Sequence, residues 1–291
     1  MFRARITLAV LLLSLIPISH SHAADVVYPG DRPFTLVVPT TYQSGTPAPL
    51  IIALHGYTAD APYADSYFAL GKAADEKGIL AVYPSGSRDS NGFLYWNATP
   101  ACCNFDSSSV DDEAYLLSII DSVSKDYSVD PARIYIIGHS NGGFMAHHMA
   151  CKQSERIAAI VSLAGSTYSN TRSCKPSSPV SVLQIHGTKD AVISFTGGYL
   201  FGNAYPSARK TIDIWGQINE CGKKPARVLP RLDLDRKIPG AETTVLRYKG
   251  CKAGTNSELW TIDKGVHSPE LSATFADNVI NFLLTHPKKS V

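Results

Sequence analysis

The sequence predicts an α/β fold with a mostly parallel central sheet and helices on both faces. Two patterns carry that expectation. Short apolar runs alternate with helix-compatible segments along most of the chain, and one run opens directly onto a glycine-flanked serine at a strand-to-helix junction.

Taken in order, residues 34–38, 50–54, 79–83, 134–137, 158–163 and 180–185 are apolar runs of strand length, with further strands expected at 243–248 and 257–262. Helical patterns fall at 63–77, 111–127, 141–152, 208–218 and 271–284. The second of these helices should start at Ser109, as cap, with Asp112 three residues on. Residues 85–109 are polar and contain glycine, yet they hold Tyr95, Trp96 and the Cys102-Cys103 pair, so they read as an ordered excursion. Residues 221–240 mix prolines with both charge signs and read as surface loop. Repeats, low-complexity tracts and a domain boundary are all missing from the pattern, which predicts one catalytic domain over 24–291.

Ahead of that domain, Arg3 and Arg5 precede an apolar run from Ile6 to Ile18 and then Ser21-His22-Ala23, the pattern of a cleaved signal peptide over 1–23. A secreted or periplasmic product is expected, and no second segment is apolar for long enough to span a bilayer. Cleavage removes two of the 27 basic residues and balances the rest against the 25 acidic ones. A neutral chain offers no electrostatic reason for nucleic acid or an anionic membrane as partner. Six cysteines follow the signal, and an even count in an oxidising compartment favours disulfides, the Cys-x-x-Cys spacing of a zinc site being absent.

The serine lies in Gly138-His139-Ser140-Asn141-Gly142, after Ile134-Tyr135-Ile136-Ile137. Such a strand, turn and helix form the nucleophile elbow of the α/β-hydrolase arrangement, in which serine, acid and histidine follow one another along the chain. A serine hydroxyl is a poor nucleophile at neutral pH, so Ser140 needs a histidine to take its proton and an acid to hold that imidazole in one tautomer. His267, just after the last expected strand and before the final helix, fits the base. His147 and His148 sit on the wrong side of that order and read as packing or surface residues, and His286, near the terminus, as solvent-exposed. Asp190, in the loop that follows 180–185, is the expected acid; Asp213 and Asp263 compete, the first inside a helical pattern and the second only four residues before His267. His186 reads as a structural residue that steadies the Asp190 loop. Two backbone N–H groups should receive the oxyanion, those of Asn141 and of Tyr57 in His55-Gly56-Tyr57. Asp111-Asp112 reads as a helix cap in preference to a metal site.

Leu54-His55-Gly56-Tyr57, Tyr95-Trp96-Asn97-Ala98, Cys102-Cys103, Val110-Asp111-Asp112, the elbow through Gly143 and Ile185-His186-Gly187-Thr188-Lys189-Asp190 together resemble the secreted polyhydroxybutyrate depolymerase and feruloyl esterase group of α/β hydrolases, a group like carbohydrate esterase family 1. The resemblance implies carboxylic ester hydrolysis by Ser140, Asp190 and His267 without a metal or organic cofactor. It implies an ester substrate, either a hydroxyalkanoate oligomer or a plant cell-wall ester. One departure is local: many members carry tryptophan-proline-glycine shortly after the histidine, where this chain has Ser268-Pro269-Glu270.

Trp96, Tyr95 and Tyr57 are candidate substrate-binding aromatics, against a competing reading as core residues. The cysteines are expected to pair as Cys151 with Cys174 and Cys221 with Cys251, each bridge joining an expected helix end to a segment beside an expected strand. Cys102 and Cys103 are either joined to each other or a special case. The competing activities are an acetyl-xylan esterase, lipase or peptidase on the same fold, and the competing class is a catalytically silent binding module.

Overall fold

Backbone pairing gathers ten strands into one sheet in a computed structural model that describes residues 24–289; the expected signal segment, 1–23, lies outside them. Along the chain the strands are β1 (Ala24–Tyr28), β2 (Phe34–Val38), β3 (Ala48–Leu54), β4 (Leu80–Pro84), β5 (Ser87–Arg88), β6 (Leu94–Tyr95), β7 (Val129–His139), β8 (Ala159–Leu163), β9 (Ser181–Gly187), β10 (Gly198–Leu200), β11 (Asn203–Tyr205), β12 (Ala226–Leu232), β13 (Thr243–Arg247) and β14 (Ser257–Ile262). The large sheet runs β1-β2-β4-β3-β7-β8-β9-β14-β13-β12, with β5-β6 and β10-β11 as separate small hairpins. Its centre, from β4 to β14, is parallel, and both flanks are antiparallel.

The helices are α1 (Ala61–Phe68), α2 (Gly71–Glu76), α3 (Asp112–Asp126), α4 (Asn141–Lys152), α5 (Ala208–Ile218) and α6 (Phe275–Leu284). Strand side chains alternate between faces, so β3 sends Leu50, Ile52 and Leu54 into one core with α3 and α4, and Ile51 and Ala53 into the other with α1, α2 and α6. The parallel centre is therefore buried on both faces, which is why it reads as unbroken apolar runs.

Several expectations change. The helix expected over 63–77 is two helices, because Ala69 takes a left-handed conformation (φ 48°) and its N–H closes α1 onto Asp65. The cap of α3 is Asp111, whose carboxylate accepts from the Ala114 N–H, in place of Ser109. The surface loop expected over 221–240 contains β12, an edge strand paired with β13 and bearing Pro230 where the register shifts. Proline is tolerated there because an edge position owes no second ladder bond. His286 is half-buried at the end of α6, its Nδ1–H donating to the Phe282 carbonyl at 2.7 Å.

Three disulfides are present, Cys102–Cys103, Cys151–Cys174 and Cys221–Cys251. The second ties the end of α4 to the segment leading into β9, so the two elements that present Ser140 and Asp190 are cross-linked.

His147 on α4 is a packing residue. It is fully buried, accepts from Trp215 Nε1–H at 3.0 Å and donates through Nε2 to Gln184 Oε1 at 3.0 Å. Burial pushes its pKa down to about 4. The unfolded chain, with this group near 6.5, therefore binds more protons than the folded one between those values. The resulting contribution to stability is complete above pH 6.5 and is lost as pH falls towards 4, to the extent of about 3 kcal/mol. His147→Gln should remove that share of the acid sensitivity, read as a smaller drop in urea-unfolding free energy between pH 7 and pH 4. An unchanged drop would contradict the assignment.

Candidate active site

Ser140 sits between β7 and α4 at φ 53° and ψ −117°, a conformation that residues other than glycine rarely adopt, and its N–H is held by the Leu163 carbonyl at 2.8 Å. The glycines around it are needed for close approach. A Cβ at Gly138 would lie 2.1 Å from the Gly142 carbonyl oxygen, and one at Gly142 would lie 2.4 Å from that of Leu54. The strained turn is thus wedged between its own helix and the end of β3, which lifts the serine hydroxyl above the sheet.

His267 follows β14 in a loop and brings Nε2 to 2.9 Å from Ser140 Oγ, while its Nδ1–H donates to Asp190 Oδ2 at 2.8 Å. The acid is itself fixed: Asp190 Oδ1 accepts from the Val192 and Ile193 N–H groups at 2.9 and 2.8 Å, and His186 Nε2 lies 3.2 Å from Oδ2. Burial works against the carboxylate's charge, but the hydrogen bonds from His186 and His267 outweigh it and hold the carboxyl well below the usual range. An ionised Asp190 accepts only, so His267 carries its proton on Nδ1 and leaves Nε2 free to receive the serine's. The competing acids are elsewhere: Asp213 accepts from Arg209 and Tyr248, and Asp263 is exposed.

The loop after β3 runs beside Ser140. A methyl group at Gly56 would sit 3.4 Å from Ser140 Cβ, which places the 55–57 backbone against the serine. His55 locks that loop by accepting from the Gly86 N–H at 2.8 Å and donating to the Gly56 carbonyl at 2.7 Å. Asn141 does the same from α4, its side-chain amide accepting from the Trp96 N–H at 2.6 Å and donating to the Trp96 carbonyl at 3.0 Å.

Those bonds overturn the substrate-binding role expected for Trp96 and Tyr95. Trp96 is 0% and Tyr95 1% exposed, and the indole N–H of Trp96 donates to the His55 carbonyl. They are buttresses of the loops that flank Ser140 and offer no surface to a substrate. Tyr57 stays half-exposed, and it heads an aromatic run that the sequence reading missed: its ring meets Phe93 at 6.0 Å and Phe105 at 5.3 Å, and Phe105 meets Phe201 at 4.2 Å. Phe93, Phe105 and Phe201 are all exposed. Their signal was weak: Phe105 stands alone among polar residues, Phe93 precedes the Leu94-Tyr95-Trp96 run, and Phe201 follows Tyr199-Leu200 at the turn between β10 and β11.

Around α3, Asp111 caps and Asp112 is buried, accepting from Arg32 and the Asn97 N–H, both at 2.6 Å. Among the described residues no group of three or more histidines, cysteines or acids is placed to hold a metal ion. His148 of α4 packs between Glu113, 2.8 Å from its Nε2, and the Ala98 carbonyl, 2.7 Å from its Nδ1.

The central parallel sheet, the elbow and the loops at the strand ends define an α/β hydrolase. The phospholipase/carboxylesterase family model matches residues 40–214, more than half of the chain, and the chain belongs to that family. It is 27% identical over 238 residues to feruloyl esterase B of Piromyces equi, covering 79% of this chain and 41% of that protein. It is 23% identical over 241 residues to feruloyl esterase D of Neurospora crassa, covering 82% and 74%. The acetyl xylan esterase from Aspergillus awamori shares the fold, with a TM-score of 0.62 at 15% identity over 90% of this chain and 99% of that one. The chain spans less than half the length of the first three curated relatives it matches.

Proposed function

We propose that this chain is an exported serine esterase that hydrolyses carboxylic esters through an acyl-serine intermediate. The observation that carries the reading is the continuous relay from Ser140 Oγ through His267 to Asp190, with both links under 3 Å. Ser140 attacks the ester carbonyl as His267 Nε2 takes the hydroxyl proton, and Asp190 stabilises the imidazolium that forms. The N–H groups of Tyr57 and Asn141 receive the developing oxyanion. His267 then returns the proton to the departing alcohol, and a water activated by the same imidazole cleaves the acyl-enzyme.

Export is supported by three disulfides and by the signal-like start of the sequence. No helix among the described residues is long and apolar enough to cross a membrane. The aromatic run from Tyr57 to Phe201 supports substrates with an apolar acyl group, and the names of the feruloyl esterase relatives favour plant cell-wall esters over hydroxyalkanoate oligomers.

Reaction with a fluorophosphonate probe should label the Ser140 peptide, and no labelling of folded protein would refute the esterase reading. Across feruloyl, hydroxybutyrate, short acyl and acetyl-sugar esters, kcat/KM should be at least about tenfold higher on feruloyl esters than on acetyl ones. Highest turnover on acetyl esters would refute the aromatic acyl wall.

A further inference from the structure

His139 directly precedes the nucleophile, is 5% exposed, and takes no part in the proton relay. Its Nε2 lies 3.0 Å from the backbone carbonyl of His267, a group that only accepts, so the proton of this imidazole is on Nε2. The ring lies 5.0 Å, centroid to centroid, from those of both His267 and Tyr67. Its other nitrogen, Nδ1, is buried without a hydrogen-bond partner and faces the loop beside Ser140, 3.2 Å from where a Cβ on Gly56 would stand. One imidazole, on the residue joined to Ser140 by a peptide bond, therefore meets the base's backbone and ring and abuts the Gly56 loop.

On the esterase reading above, we propose that His139 is a positioning residue that fixes the catalytic base by donating its Nε2–H to the His267 carbonyl. The bond closes a circuit: Ser140 backbone, His139 ring, His267 carbonyl, His267 ring, Ser140 Oγ. A base held through its main chain keeps Nε2 aimed at the serine, while Asp190 holds only the far side of the ring. The base loop carries no aromatic immediately after the histidine, since Ser268-Pro269-Glu270 follows, and Ser268 Oγ adds only a long contact of 3.4 Å to the same His139 nitrogen. Burial, with the neighbouring His267 ring, pushes the His139 pKa down to about 4, so the donor stays neutral and in one tautomer at neutral pH. The groups facing it are His267, Asp190, His186 and Tyr67; no lysine or arginine adjoins its ring among its recorded contacts in the described residues.

Three substitutions separate position from packing. In His139→Gln the amide nitrogen reaches the place of Nε2 and keeps the donor. In His139→Asn it reaches only the place of Nδ1, and His139→Leu has no donor. The Asn and Leu variants should lose at least about tenfold in kcat with KM within about twofold, and the Gln variant should stay within about threefold of the parent on both. Melting temperatures measured alongside show whether any loss merely follows stability. A second readout needs no substrate: the downfield Nδ1 proton resonance of His267 should persist in His139→Gln and broaden away in His139→Asn. Equal kcat in the Asn and Gln variants, losses that track melting temperature, or an unaltered resonance in His139→Asn would each overturn the proposal. Failure of the parent protein to turn over esters would instead count against the esterase reading, with the resonance still deciding the role of His139.

Discussion

Ser140→Ala leaves a folded chain whose ester hydrolysis falls by a factor on the order of 10³ or more, measured as kcat/KM with urea unfolding alongside. Folding should survive because the hydroxyl bonds only to His267, and the turn is held by other contacts: the Ser140 N–H on the Leu163 carbonyl and the glycines packed against Leu54 and His55. Alanine has the same Cβ as serine, so the positive φ adds no new strain. Residual activity should come from the Tyr57 and Asn141 N–H groups and from binding, which still favour the tetrahedral state. A folded variant that keeps more than about a tenth of the parent's rate would show that Ser140 is not the nucleophile.

The elbow and the relay were legible because each part is written locally. An apolar run, a glycine-flanked serine and a helical pattern are contiguous, Asp190 follows the apolar run that becomes β9, and His267 follows the expected strand that becomes β14. What the sequence did not disclose depends on contacts between distant residues. Trp96 looks like a surface aromatic in a polar stretch until Asn141, 45 residues away, grips both sides of its backbone. His139 reads as the variable position of a pentapeptide until the His267 carbonyl, 128 residues on, meets it. β12 was hidden because an exposed edge strand needs few apolar residues, and Arg227, Pro230 and Arg231 mask its alternation. The break falls at Ala69, and the glycine near it, Gly71, opens α2 instead of taking the left-handed position. Ser109 and Asp111 are both capping types, and only the position of the first helical turn chooses between them.

Asp190→Asn should reduce kcat by about 10³ to 10⁴ while the fold persists. The loss follows from the direction of one hydrogen bond. Asp190 Oδ2 now accepts from His267 Nδ1–H, and Asn presents an N–H there, so the imidazole would turn its Nδ1 lone pair towards it and carry its proton on Nε2. A base protonated on Nε2 cannot take the proton of Ser140, 2.9 Å away. The single oxygen of the amide, in the place of Oδ1, still accepts from the Val192 and Ile193 N–H groups, which keeps the loop closed. The one added conflict is with His186, whose Nε2–H would then face the new N–H group, and its carbonyl partner Ile193 at 2.7 Å limits that cost. The pH profile separates this from simple loss of charge. Since Asp190 is held ionised far below the ordinary carboxylate range, the parent should not lose activity through this acid at any pH at which it stays folded. The Asn variant should be slow across the whole range, with no acid or alkaline limb that restores it. A variant with near-parent kcat, or one whose rate recovers fully at high pH, would mean that another group orients His267.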